Sequence, residues 1–194
     1  MKRKYRLSVL LLVLVLTTFA CSLPGMGGGA DSPPDGLIEN YVPDIDPAQV
    51  LGYVYSQDQM AVQQSYGPPT RFNITFSADG RMDIWIYDTI GYTVFFRDGV
   101  KFLEENVEAA AYQEGLYATT YAPALFYQGM GVDEIVLATG RNKIMLTSMG
   151  DLVENGRLMH LEGLTVGLKN GEILYVETFP AVTENLLTPQ DFGE

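Results

Sequence analysis

The chain is short of the residues that most catalytic and metal-binding chemistry uses. Its 194 residues include one cysteine, Cys21, and one histidine, His160. With a single Cys no disulfide forms within the chain and no thiolate metal cluster assembles. A single His cannot build a His-based metal site, and no Ser-His-Asp order surrounds it. A functional constellation needs several groups with matched geometry, which favours a structural or surface role for His160. Basic residues are scarce beyond the start. Of the 12 Lys+Arg, four lie within the first six residues, which leaves eight against 24 Asp+Glu, a balance of −16. That excess argues against nucleic acid, where Lys and Arg neutralising phosphates supply most of the affinity. It also argues against an electrostatic grip on anionic lipid. What remains is an acidic partner-binding face, or solubility alone.

What is present is concentrated first at the N-terminus. Lys2, Arg3, Lys4 and Arg6 precede an apolar run from Leu7 to Leu16, and Thr17-Thr18-Phe19-Ala20 leads into Cys21. A basic region, a short apolar region and a small residue at the cleavage point form a secretory signal. A lone Cys directly after that point resembles the lipobox of bacterial lipoproteins, which implies a diacylglycerol on the cysteine sulfur and cleavage just before it. Two other readings stay open. Thr18-Phe19-Ala20 is also a small-x-small site for ordinary signal peptidase, and the segment could be retained as an anchor. Against the second, Leu7 to Ala20 is shorter than the roughly 20 apolar residues a bilayer requires. Ser22 to Gly36 is rich in Gly, Pro and Ser, the composition of a flexible tether. The chain is therefore expected to be exported and attached to the cell membrane or outer membrane through lipid on Cys21, facing the extracytoplasmic side.

Beyond the tether the chain reads as one pattern used twice. Gly80-Arg81-Met82-Asp83-Ile84-Trp85 is matched by Gly156-Arg157-Leu158-Met159-His160-Leu161. Thr93-Val94 before Asp98-Gly99 is matched by Thr165-Val166 before Asn170-Gly171. Upstream, Gln57 to Tyr66 and Val132 to Thr139 carry short helical patterns, each stopped by a glycine, Gly67 or Gly140. Ser56 and Gln59 have the spacing of a capping box. Pro47 and Pro123 suit the first turn of a helix. Phe72, Ile74 and Phe76 alternate with Arg71, Asn73 and Thr75, the period of a half-buried strand. Asp79-Gly80, Asp98-Gly99, Asn155-Gly156 and Asn170-Gly171 are dipeptides suited to type I′ hairpin turns. The expected fold is α+β, two tandem repeats, each a short helix or helical pair packed on its own small antiparallel sheet. The expected division is signal 1–20, tether 21–36, first repeat 37–103, linker 104–121, second repeat 122–182 and tail 183–194.

The order helix, Gly-Pro, strand, Trp-x-Tyr strand, apolar strand and Asp-Gly resembles the SmpA/OmlA or BamE-like outer-membrane lipoproteins. It also resembles the related tandem fold of the beta-lactamase-inhibitor protein. Val62, Gly67, Pro68, Trp85, Tyr87, Phe96 and Gly99 carry the resemblance in the first copy. Gly129-Met130-Gly131, Asp133-Glu134-Ile135 and Gly140 carry it in the second. It implies a non-enzymatic protein that scaffolds envelope assembly or binds other proteins, without placing partner contacts on particular residues.

No cofactor or metal is expected. Asp44-Ile45-Asp46 and Asp31 to Asp35 lack the glycine and terminal Glu of a calcium loop, and Gly25 to Gly29 lacks the Lys-Ser/Thr of a phosphate loop. An enzyme would have to bring carboxylates such as Asp83, Asp88 or Glu162 together. Aromatics are the remaining signal. If Met82, Ile84 and Ile86 pack on the helix, Trp85 and Tyr87 face outward as protein-binding anchors, with Tyr92 beside them. The competing reading buries that face between the copies. Tyr117, Tyr121, Phe126 and Tyr127 suit the join between copies or the core. Two functions follow: a binding or scaffold lipoprotein for a protein partner, or a carrier or sensor of a small apolar ligand at the envelope.

Overall fold

The computed structural model describes residues 33–106 and 116–182. The signal, the tether to Ser32, Cys21 and the tail from residue 183 lie outside the described residues. Two helices form where the capping pattern places them. Helix α1 (Gln57–Tyr66) starts on Ser56, whose hydroxyl accepts the Gln59 N–H while the Gln59 side chain accepts the Ser56 N–H. Helix α2 (Val132–Thr139) starts on Gly131, whose N–H donates to Glu134 at 2.9 Å, and stops at Gly140 in the left-handed conformation. Pro47 and Pro123 each open a short 3-10 turn, Pro47–Gln49 and Pro123–Leu125.

Nine of the eleven strands among the described residues make one antiparallel sheet. The first meander is β2 (Arg71–Ser77), β3 (Gly80–Tyr87), β4 (Tyr92–Arg97) and β5 (Val100–Asn106). The second is β7 (Ile144–Ser148), β8 (Gly156–Leu161), β9 (Leu164–Lys169) and β10 (Glu172–Thr178). Strand β1 (Gly36–Ile38) pairs with β7, and a separate two-stranded ladder joins β6 (Leu116–Tyr117) to β11 (Ala181–Val182). The spatial order is β1-β7-β8-β9-β10-β2-β3-β4-β5.

That order overturns the expectation of two repeats, each a helix on its own small sheet. The last strand of the second meander pairs with the first strand of the other, Tyr175 opposite Thr75, Val176 opposite Ile74 and Glu177 opposite Asn73. The two four-stranded meanders, with β1, thus form one continuous sheet of nine strands, with helices of only 10 and 8 residues against it. The physical reason is edge pairing. Each meander alone would leave β2 and β10 as open edges, and an unpaired edge is satisfied by another strand. Period-two alternation fixes which way side chains point but not which distant strand lies alongside.

The turns also differ from expectation. Asp98-Gly99 and Asn170-Gly171 have positive φ at both residues, as type I′ requires. At Asp79-Gly80 only Gly80 is positive, and at Asn155-Gly156 only Asn155. One glycine acts through space instead. A Cβ on Gly167 would lie 2.1 Å from the ring of Tyr175 opposite it, so the bare backbone lets that ring lie across β9.

One face of the sheet is the core. Leu146, Met159, Val166, Val176, Ile74, Asp83 and Phe96 follow one another across seven strands in a single cross-strand row, each 0–1% exposed. Val62 of α1, Ile135 and Val136 of α2, and Tyr121, Phe126 and Met130 of the intervening chain cover that face. Each large apolar side chain so buried contributes about 1.5–3 kcal/mol. Strand β5 is an edge, and its Lys101 N–H donates to Asp58 of α1 at 2.9 Å. Charges at Lys101, Glu104 and Glu105 make the rest of that edge a poor template for further pairing.

Candidate functional site

The structure places the three aromatic candidates on the covered face. Trp85 is 1% exposed, with its indole 5.3 Å from the ring of Tyr55 and 4.9 Å from that of Phe96. Tyr87 is buried and its hydroxyl donates to the Gly67 carbonyl at 3.1 Å. Tyr92 is buried with its ring 4.6 Å from that of Tyr66, and its hydroxyl donates to Glu104 at 2.8 Å. Burial raises the tyrosine pKa at both Tyr87 and Tyr92, assisted at Tyr92 by the hydrogen bond to Glu104. These residues are therefore core, and the outward-facing reading of β3 is corrected: Met82, Ile84 and Ile86 take the opposite face and are only half-buried.

The covered face also carries two charges, Arg81 and Asp83, beside Trp85 and Tyr87. In the fold they neutralise each other, with Nε to Oδ2 at 2.7 Å and Nη2 to Oδ1 at 2.6 Å. Arg81 also donates to the carbonyls of Phe126 and Pro123, and its guanidinium stacks 3.6 Å above the Tyr53 ring. This buried fork ties the chain around Pro123 and around Tyr53 onto β3. Its sequence signal was opposite charge at i and i+2 on one strand, which places both on the same side.

The other carboxylates that an enzyme would need to assemble are held separately by arginines. Asp88 takes two hydrogen bonds from Arg71, at 3.0 and 3.1 Å, and the exposed Glu162 pairs with Arg141 at 2.9 Å. Among the described residues no group of three or more His, Cys, Asp or Glu is placed to hold a metal ion. Tyr121 and Phe126 are core, while Tyr117 is exposed.

What the described residues leave open is the second face of the sheet. Leu37, Met145, His160, Thr165, Glu177, Asn73, Ile84, Phe95 and Leu103 follow one another across all nine strands in one row, and none is buried. The row is apolar at both ends and polar in the middle. At the β5 end the rings of Phe95 and Phe102 lie 6.2 Å apart, with the Arg97 guanidinium 5.5 Å from Phe102. Phe102 is the extra residue where the β4–β5 register shifts, and it is 51% exposed. At the other end a groove of about 480 Å³ opens where residues 140–143 run into β7 and β8 ends. His160 lies there, its Nδ1 3.1 Å from the Thr165 hydroxyl. A smaller, polar recess of about 380 Å³ separates α1 from β5, where Lys101 pairs with Glu104 at 2.8 Å. That hydrogen bond lowers the Glu104 pKa and raises that of Lys101.

Set against protein-family models, curated proteins and solved structures, the chain matches none of them.

Proposed function

We propose that the chain is an exported binding protein, anchored by lipid on Cys21, that acts without catalysis and docks another protein on the open face of its sheet. The observation that carries this reading is the asymmetry of the sheet. One face is closed by two helices and the chain around them, while the other carries Ile84, Phe95, Leu103 and Phe102 in a contiguous group without cover from any described element. A broad face of this kind suits a protein partner. Aromatic and aliphatic anchors with arginine at the margin are the composition of interface centres. The resemblance to envelope lipoproteins that bind or scaffold other proteins points the same way. The tether composition between Cys21 and Gly36 would let the sheet reach a partner from a membrane.

The test is capture of partners from membranes by the full chain, comparing wild type with Ile84→Asp/Phe95→Asp. Both positions lie off the core face, so the double variant is expected to fold and to lose its partner. Equal recovery of the same partner by both proteins would contradict the reading. Separately, Cys21→Ser is expected to release the chain into the soluble fraction; continued membrane attachment would sink the lipid anchor and leave docking untouched.

A further inference from the structure

We propose that the groove at the start of β7 and the end of β8 binds a small amphipathic anion, a single carboxylate or phosphate joined to an apolar body. This stands apart from protein docking at the β5 end of the sheet. The groove volume, about 480 Å³, lies within the ~300–1,000 Å³ typical of small-molecule sites.

Its charge is the first argument. Only eight Lys+Arg follow residue 6 in a chain otherwise rich in acid, and two of them, Arg141 and Lys143, line this groove with the only histidine and one carboxylate, Glu162. The second argument is availability. Arg71 and Arg81 are committed to bidentate pairs with half-buried or buried carboxylates. Arg141 instead meets Glu162 through Nη1 alone at 2.9 Å, and Lys143 meets Glu39 at 3.0 Å. The side chains of Glu162 and Glu39 are 79% and 60% exposed. Exposed pairs of this kind contribute about 0–1 kcal/mol, so an incoming anion displaces them at little cost and gains a charge-assisted contact with a guanidinium fork. Nδ1 of His160 is engaged by Thr165, which makes Nε2 the nitrogen offered to a ligand.

The apolar wall decides the rest of the ligand. Leu37 and Met145 face each other across the β1–β7 ladder and are both exposed, with Ile144 behind them. Methionine adapts its shape to what it packs against. A bare inorganic anion would leave this wall wet, an uncharged alkyl compound would leave Arg141 and Lys143 unused, and a cation would face those two cationic side chains against one lining carboxylate, Glu162. Only a molecule with one anionic end and an apolar body uses both parts of the groove. That chemistry is shared by a soluble alkyl phosphate or carboxylate and by the headgroup region of an anionic lipid.

The test uses the isotopically labelled full chain in phosphatidylcholine nanodiscs, reading the imidazole resonances of His160, which are assigned by being the chain's only ones. Hexyl phosphate is expected to shift them saturably, at least tenfold tighter than inorganic phosphate, with no effect from hexanol. Arg141→Gln/Lys143→Gln is expected to weaken hexyl phosphate at least tenfold, while the fluorescence of Trp85 confirms an unchanged core. Nanodiscs doped with phosphatidylglycerol separate the sources: a shift there assigns the groove to a lipid headgroup, and a shift with hexyl phosphate alone to a soluble ligand. No saturable shift from either anionic probe, an equal response to hexanol or inorganic phosphate, or undiminished binding by the folded double variant would overturn the proposal.

Discussion

The two meanders show the same strand pattern with different interiors. In the core row, β3 supplies Asp83 where β8 supplies Met159, and Trp85 stands where Leu161 stands. Arg81 and Arg157 follow the same glycine step, yet Arg81 is sealed inside with Asp83 while Arg157 reaches the exposed carboxylate of Asp35 at 2.7 Å. On its core face one meander thus carries aromatics and a buried ion pair, the other mainly aliphatic side chains. The comparison teaches that strand geometry does not need the polar fork. The fork tethers the covering chain at Tyr53, Pro123 and Phe126 to one half of the sheet. In such a pair desolvation rivals the attraction; its measurable consequence lies in what happens when one partner is removed.

The largest expected effect is cumulative and alkaline. Tyr53, Tyr55, Tyr87 and Tyr92 all belong to or cover the first meander, and burial raises the pKa of each. In the unfolded chain they ionise near pH 10. Above that pH the unfolded state releases protons that the native state retains, so stability present below about pH 10 is lost as pH rises. Urea midpoints measured from pH 8 to pH 12 should fall steeply beyond that point; a flat profile would break the assignment of these rings to the core. Next, Asp83→Ala should destabilise by about 3–5 kcal/mol, because it leaves the Arg81 charge buried and unpaired. The double variant Arg81→Met/Asp83→Leu should recover most of that loss in the same chemical melts. On the aliphatic side, Met159→Ala should cost about 2–5 kcal/mol through the cavity it leaves, and no second substitution at Arg157 should rescue it. Smallest, Arg157→Ala should cost less than Asp83→Ala, since the Arg157 side chain is 17% exposed but its partner Asp35 is 52% exposed and stays hydrated when the pair is broken; a loss as large as that of Asp83→Ala would erase the contrast between the halves.

Much of the local structure was legible because its causes are local. The Ser56 and Gln59 box, the stops at Gly67 and Gly140, and the prolines at 47 and 123 act within a few residues, and the structure keeps each of them. The alternation of Phe72, Ile74 and Phe76 also gave the correct buried face. Beyond that range the signals failed for identifiable reasons. The pairing of β10 with β2 joins residues about 100 positions apart, and nothing in either strand names its neighbour. On β3 both faces carry apolar residues, so alternation left open whether Met82, Ile84 and Ile86 or Trp85 and Tyr87 turn inward. A charged pair can be buried where a single charge cannot, and the candidate anchors Trp85, Tyr87 and Tyr92 are core. His160, set aside as a lone histidine, lies on the open face in the same cross-strand row as Ile84, its counterpart in the first meander. The role of its groove depends on Arg141 and Lys143, which arrive from the end of α2 and the start of β7 and are linked to it only by the fold.

The central claim is that the sheet works through its uncovered face. A photoreactive phenylalanine analogue placed at Phe95, on the open face, and at Leu51, exposed in the segment between β1 and α1, tests this in the full chain. The account expects a discrete protein adduct on irradiation from position 95 and none from position 51. An adduct from position 51 with nothing at position 95 would contradict it.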